Sequence, residues 1–287
     1  MEKLQAAIEI ARKKRAAERG TPPTLSAQAA ETASRPADAG LPVIEAPSDA
    51  AGRWQALMST DLDRSLLVRS RILSQSASQE STPFDVLRTK ILYQMRQNSW
   101  RRLAITSPLP KCGKTTTAVN LGLGLGRQPE LRSILFDFDL RAPSVADKLG
   151  LDRPPSIAPL LRGERSFADH AQRIGPNLAL GLSGQAETDP TRLLMADTTR
   201  STLARIQADY EPDVMIFDLP SILIGDDARA FLQHVDCALI LARADQTRYS
   251  DLDTCEREVS EYTNVVGVVL NGYRHSDGLV DVEGGGA

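Results

Sequence analysis

The sequence predicts an α/β fold: a doubly wound, mostly parallel sheet with helices on both faces, behind a partly disordered N-terminal extension. Three observations predict it. From Arg102 onward, short runs rich in Val, Ile, Leu and Phe alternate with helical stretches. Those runs show little apolar–polar alternation, as expected of parallel strands buried on both faces. The residues that carry chemistry fall where the runs end, and in such folds ligands sit beyond the carboxyl ends of the strands.

Residues 1–20 read as a helix. Leu4, Ile8 and Ala11 share a face, and Lys13, Lys14, Arg15 and Arg19 load the end where the helix dipole favours cations. Gly20 and Pro22-Pro23 stop it. It is either a solvated helix or a docking helix for a partner or an anionic membrane. Residues 21–52 are rich in Ala, Pro, Ser and Asp and read as a disordered linker. Residues 53–80 regain Trp54, Leu57, Leu66, Leu67 and Ile72, which predicts an extension packed loosely on the main body. The main domain is expected over 81–275. It opens with an amphipathic helix over Phe84–Trp100, in which Phe84, Leu87, Ile91 and Met95 share a stripe. Strands are expected at Leu103–Thr106, Ser133–Phe138, Asn177–Leu182, Asp213–Phe217, Cys237–Ala242 and Val265–Leu270, with helices between them forming βαβ units. A flexible tail is expected over 276–287.

Composition narrows the function. With 287 residues, 41% of them apolar, the chain is long enough to build one large core with extra segments. A net charge of −3 speaks against a dedicated nucleic-acid binder. Cys112, Cys237 and Cys255 lack metal-ligand spacing and suit a reducing compartment. No apolar run approaches the roughly 20 residues a membrane helix needs. No hydrophobic signal core is present at the N-terminus. A cytoplasmic chain is expected, one that can lie peripherally at the inner face of the plasma membrane.

The first chemical motif follows the first strand: Thr106-Ser107-Pro108-Leu109-Pro110-Lys111-Cys112-Gly113-Lys114-Thr115-Thr116. An apolar strand, a Pro/Gly loop closing in Gly-Lys-Thr and a following helix are the pattern of a phosphate-binding loop. Pro110, Lys111, Cys112, Gly113, Lys114, Thr115 and Thr116 are therefore expected to hold a nucleotide. The amides of residues 111–116 form the anion cradle, Lys114 meets the β- and γ-phosphates, and Thr115 reaches a magnesium ion. The ordinary pattern has a glycine five residues before Gly113, where this chain has Pro108. The second motif, at the end of the next strand, carries Asp137 and Asp139, suited to magnesium coordination or to orienting and deprotonating a nucleophile. The third ends in Asp218, the acid that completes a magnesium shell through water. Asn271 ends the last strand and is expected to read the adenine edge, or else to occupy a turn.

Together these residues resemble the deviant-Walker P-loop ATPases, the class of the MinD and ParA proteins. Within it the likeness is to the bacterial tyrosine kinases of capsule and exopolysaccharide synthesis, the CpsD/CapB group and the cytoplasmic domain of Wzc. The carriers are the loop, Asp137-Phe-Asp139-Leu140-Arg141-Ala-Pro143, Asp218-Leu-Pro220-Ser221 in place of the group's Asp-x-Pro-Pro, and the run from Leu241 to Thr247. The resemblance covers about residues 80–273. It implies a P-loop NTPase fold, ATP and Mg2+, and a protein-tyrosine kinase that regulates a membrane polysaccharide co-polymerase of the Wzc/Wzz kind, with a homo-oligomer possible. Lys114, Asp137 and Asp139 would be catalytic, with either aspartate as base; Thr115, Asp137 and Asp218 would manage the metal.

The chain departs from the group in three places. The group phosphorylates a C-terminal tyrosine cluster, whereas here Tyr273 stands alone with Tyr262 next upstream, so Tyr249, Tyr262 or a partner's tyrosine would be the acceptor. The group's ring-forming helix has a glutamate and an arginine where this chain has Thr82 and Asp85, although Arg88 is kept. Lys111 stands where the group usually has glycine, adding charge that would supplement Lys114, and Cys112 stands where the group often has glutamate. Beside cations and a helix N-terminus, Cys112 is expected to make the loop redox-sensitive, or else to be a tolerated solvent-facing residue. A non-phosphorylating ATP switch in polysaccharide export is the alternative function. A DNA-partition ATPase is a further one, which the acidic balance disfavours.

Overall fold

The computed structural model describes residues 49–273. The helix expected over 1–20, the linker up to residue 48 and the tail over 276–287 lie outside the described residues.

Among the described residues eight strands form one sheet: β1 (Met58–Ser59), β2 (Arg102–Thr106), β3 (Ser133–Asp137), β4 (Gln172–Ile174), β5 (Leu178–Gly181), β6 (Val214–Asp218), β7 (Cys237–Arg243) and β8 (Asn264–Asn271). Their spatial order is β1-β4-β5-β3-β6-β2-β7-β8. Every neighbouring pair is parallel except β4–β5. The mostly parallel α/β sheet expected from the sequence is present.

The period-2 geometry of a strand sorts side chains between two cores. Ala104 of β2, Ile134 and Phe136 of β3, and Met215 and Phe217 of β6 enter one core. Their neighbours Leu103, Ile105, Leu135, Val214 and Ile216 enter the other. Both faces are thus buried, which is why these strands read as unbroken apolar runs. β1 and β4 were not expected. Both are short, and Gln172, Arg173 and Ile174 are only half-buried, so neither carries a strong apolar signal.

The first core is aromatic at its centre. Phe136 of β3 stacks on Phe217 of β6 with centroids 5.2 Å apart. Phe138 packs against both, and Phe231 meets Phe138 edge-on at 4.6 Å. Gly181 on β5 makes room for this layer, because a Cβ there would stand 2.4 Å from the Phe136 ring.

The stretch 53–80, expected to pack loosely, seats large side chains in both cores. Trp54 and Leu57 join the aromatic core, and Leu67 and Ile72 join the other. Trp54 also donates from Nε1 to the Pro176 carbonyl at 2.7 Å. Asn120, buried on the helix Lys114–Gly126, accepts from the amides of Leu73 and Ser74 at 2.7 and 3.0 Å. Its amide donates to Arg71 O and Thr116 O. One asparagine therefore pins residues 71–74 to the helix that follows the phosphate loop.

The helix expected over Phe84–Trp100 spans Thr82–Gln97. It stops early because Ser99 adopts a left-handed φ of 56°, returning the Trp100 amide to Met95 O at 2.8 Å. Arg88 turns inward, donating to Asp85 at 2.6 Å and to Gly124 O at 3.0 Å. Arg127 pairs with the same aspartate. Among the described residues no helix is long and apolar enough to cross a membrane.

Candidate nucleotide site

The register of the sheet assembles the site. β3 pairs with β6 so that Asp137 lies opposite Asp218, and β2 pairs with β6 so that Ile105 lies opposite Asp218. Two strands thus deliver carboxylates to adjacent points, and β2 runs directly into the phosphate loop. Beyond the strands the same two segments stay joined: Leu219 N donates to Ile105 O and Ile222 N to Ser107 O, both at 3.0 Å. The Thr106 hydroxyl donates to Pro220 O at 2.8 Å.

The loop itself needs two left-handed residues. Gly113 has φ 96°, a conformation that favours glycine, and a Cβ there would lie 2.1 Å from Asn271 Nδ2 and displace that amide. Lys111 has φ 65°, the left-handed region that glycine adopts at no steric cost. Its side chain is exposed, while its carbonyl accepts from Arg243 Nη1 at 3.0 Å. With Lys111 so turned, Cys112 points inward. It is 2% exposed, with Sγ 3.7 Å from the Thr247 hydroxyl. The expectations of a solvent-facing residue and of an oxidant-accessible loop are therefore corrected, since reactivity requires access. Asn271, expected at the adenine edge, donates its amide to Cys112 O at 2.8 Å and braces the loop from the end of β8.

The helix Lys114–Gly126 starts at the loop's end, so the amides of its first turn open toward the strand ends. Lys114 is buried and donates from Nζ to Ser221 Oγ at 3.0 Å. The half-buried Thr115 hydroxyl lies 3.3 Å from that of Ser144, and Thr116 is half-buried beside it. Pro110 is exposed at the tip of the loop.

The acids are strained electrostatically. Asp218 is fully buried, and neither carboxylate oxygen has a hydrogen-bond partner. Burial pushes its pKa up to about 7, with Thr115 and Lys114 nearby limiting the rise. Asp137 accepts on Oδ2 from the amides of Ser144 and Val145 at 2.8 and 2.9 Å, while its Oδ1 has no partner. Burial and then the neighbouring Asp218 carboxylate hold its pKa well above the ordinary value. Asp139 is half-buried; burial raises its pKa and the Lys114 charge opposes the rise.

Three orphaned carboxylate oxygens beside a hydroxyl on a helix's first turn are a hard-oxygen donor set with no direct partner. Among the described residues no group of three or more His, Cys, Asp and Glu is placed to hold a metal by itself. Magnesium fits that description, since it is commonly held by one or two carboxylates together with phosphates and waters.

The structure also adds residues that sequence reasoning missed. Ser221 partners the lysine, and the only signal was its place after the third motif, where the group that the sequence resembles has proline. Asp227, 3% exposed, receives Arg141 bidentately through Nε at 2.5 Å and Nη2 at 3.0 Å, and also the Thr191 hydroxyl. This pair ties the loop that carries Asp139 to the helix Asp227–Leu232. Asp227 follows no motif and gave no signal.

No family model matches the chain. Among curated proteins it is 25% identical to EpsB of Ralstonia nicotianae over 187 residues, which cover 64% of this chain and 24% of EpsB. The chain thus spans about a quarter of that relative. It is 25% identical over 206 residues to tyrosine-protein kinase YwqD of Bacillus subtilis, covering 71% of this chain and 86% of YwqD. Among solved structures, the kinase domain of VpsO superimposes with a TM-score of 0.60 at 25% identity, over 68% of this chain and 96% of that domain. The cell division ATPase MinD of Pyrococcus furiosus shares the fold, with a TM-score of 0.51 at 23% identity, over 62% of this chain and 74% of MinD. The chain is thus similar to proteins named tyrosine-protein kinases and shares the fold of the VpsO kinase domain and of MinD.

Proposed function

We propose that this chain binds ATP with Mg2+ at the loop 107–116 and transfers the γ-phosphoryl group to a tyrosine of a protein. The observation that carries this reading is the set of three buried carboxylate oxygens without partners, Asp137 Oδ1 and both oxygens of Asp218, near the buried Lys114. The names of the curated relatives support tyrosine as the acceptor class. Lys114 would place a point charge on the β- and γ-phosphates, and the amides from Lys111 to Thr116 would line the rest. Thr115 and Asp218, with Asp137 Oδ1, would hold the metal, which when bound neutralises charge on the phosphates. Asp139 is the better general base, because Asp137 spends one oxygen on two backbone amides. Exopolysaccharide or capsule biosynthesis, with a Wzc/Wzz-like membrane co-polymerase as partner at the cytoplasmic face of the membrane, is the setting that the sequence resemblance implies.

The test incubates the full chain with magnesium and γ-labelled ATP, alone and with the cytoplasmic segments of a co-polymerase, with Lys114→Met beside it. Label on tyrosine, absent from the variant, is expected. Phosphate release with no protein label would replace the kinase reading with an ATP switch. One observation favours that second reading: the exposed tyrosines Tyr93, Tyr249, Tyr262 and Tyr273 are scattered over the described residues rather than clustered.

A further inference from the structure

Lys114 lies among acids yet pairs with none of them. Its charge is felt by both Asp139 and Asp218. Among the described residues, however, it forms no ion pair; its amine goes to the Ser221 hydroxyl at 3.0 Å instead. That hydroxyl belongs to a chain whose proton directions follow by elimination. A lysine ammonium only donates, so Ser221 Oγ accepts from Lys114. The Ser107 hydroxyl lies 2.7 Å from the Leu109 carbonyl, which only accepts, so the single Ser107 proton goes there. In the 3.2 Å contact between Ser221 and Ser107, Ser221 must therefore be the donor. The relay runs one way: Lys114 Nζ to Ser221 Oγ, to Ser107 Oγ, to the Leu109 carbonyl within the phosphate loop.

The backbone fixes this relay from both sides. Ser221 is buried, and the flanking segment is held by Thr106 Oγ1 on Pro220 O and by Ile222 N on Ser107 O. A flexible lysine thus finds a rigid acceptor that carries no charge. Both Asp218 oxygens are without a hydrogen-bond partner, although the Lys114 charge is near enough to oppose the rise of that carboxyl's pKa.

We infer that Ser221 is a positioning residue for Lys114: its hydroxyl holds the ammonium away from Asp218, so that this carboxylate is kept for magnesium. The inference rests on the proposed ATP–magnesium site and goes beyond it, because the resemblance places a proline at this position. With Ser221→Ala the relay is cut, and Lys114 is expected to fall onto Asp218 and compete with the metal.

The test is calorimetric titration of the full chain with ATP, once with magnesium and once with EDTA. For Ser221→Ala, magnesium-supported affinity is expected to fall about tenfold, the scale of a hydrogen bond to a charged group, while metal-free affinity stays within about twofold. Ser221→Thr, which keeps the hydroxyl, is expected to restore the wild-type ratio. Ser107→Ala, which removes the second link, is expected to move the ratio the same way by less. Thermal melts show which variants are folded, and Ser221→Thr carries the test if Ser221→Ala does not fold: a threonine variant with a magnesium effect unlike wild type overturns the inference. Equal loss with and without magnesium in Ser221→Ala, or an unchanged ratio, overturns it while leaving the ATP reading intact. A wild-type chain that binds no ATP under either condition overturns both.

Discussion

β3 and β6 each carry an aromatic residue followed by an acid, and the two pairs behave in opposite ways. Phe136 and Phe217 stack at 5.2 Å inside a layer that also takes in Phe138 and Phe231. One residue further along, Asp137 and Asp218 face each other in the same parallel register, buried and short of partners. Dispersion and burial stabilise the first pair, whereas desolvation penalises the second. The contrast shows how this fold divides its work. The aromatic layer supplies the rigidity that keeps two carboxyl groups together, and burial without partners penalises their charged forms.

The largest expected effect breaks the stable half. Phe136→Ala should cost about 3–5 kcal/mol, read as a lower melting temperature or denaturant midpoint. Nucleotide binding by the fraction still folded should be retained, since Phe136 enters the core opposite the one that takes the helix after the loop. A variant with a normal midpoint would mean that the aromatic layer is not the anchor.

The second prediction concerns the strained half and depends on pH. Asp218 has a pKa raised from 3.8 to about 7. The folded state therefore binds this proton more tightly than the unfolded state does. The contribution is fully present below 3.8 and is lost as pH rises through about 7. Without metal, stability should fall across that window at up to about 1.4 kcal/mol per pH unit, from this group alone. Asp218→Asn should flatten the slope and stabilise the metal-free protein above neutrality. Parallel pH profiles for the two proteins would refute this account of the site.

A smaller effect comes from the edge of the aromatic layer. Gly181→Ala brings a methyl into the Phe136 ring and should cost about 1–3 kcal/mol by overpacking. Combining it with Phe136→Ala should relieve the clash, so the double variant should be less destabilised than the sum. Additive costs would show that the glycine serves another purpose.

The smallest concerns the loop. Lys111 holds a left-handed φ that glycine adopts without steric cost. Lys111→Gly should relieve that strain, offset by the greater freedom of glycine in the unfolded chain, for a net change within about 1 kcal/mol. If the Lys111 charge supplements Lys114, ATP affinity should fall several-fold even so, and more at low salt. Unchanged affinity would limit Lys111 to its backbone role.

Legibility in the sequence followed the same division. The central strands could be read because burial on both faces leaves a continuous apolar run, as in Ile134-Leu-Phe136 and Val214-Met-Ile-Phe217. The loop, Lys114, Thr115 and the strand-end acids could be read because each is local, a few residues whose spacing carries the chemistry. What escaped is long-range. Asn271 reaches Cys112 across 159 positions and Lys114 reaches Ser221 across 107. Neither contact leaves a trace in either neighbourhood. The burial of Cys112 has no local signal, because its Sγ meets the Thr247 hydroxyl from 135 positions away. The stretch from Trp54 to Ile72 was underestimated because its apolar residues are sparse, and the Asn120 contacts that tether it lie elsewhere in the chain.

The most direct measurement is ATP binding to the wild-type chain and to Asp218→Asn, each titrated with and without magnesium at neutral pH. If the unpartnered acids await a metal held with the nucleotide, magnesium should strengthen binding to the wild type by about tenfold or more, as expected when a buried charge gains a partner, and should barely change binding to the variant. Wild-type binding that is indifferent to magnesium, or a variant that responds to magnesium as strongly as the wild type, would contradict the account.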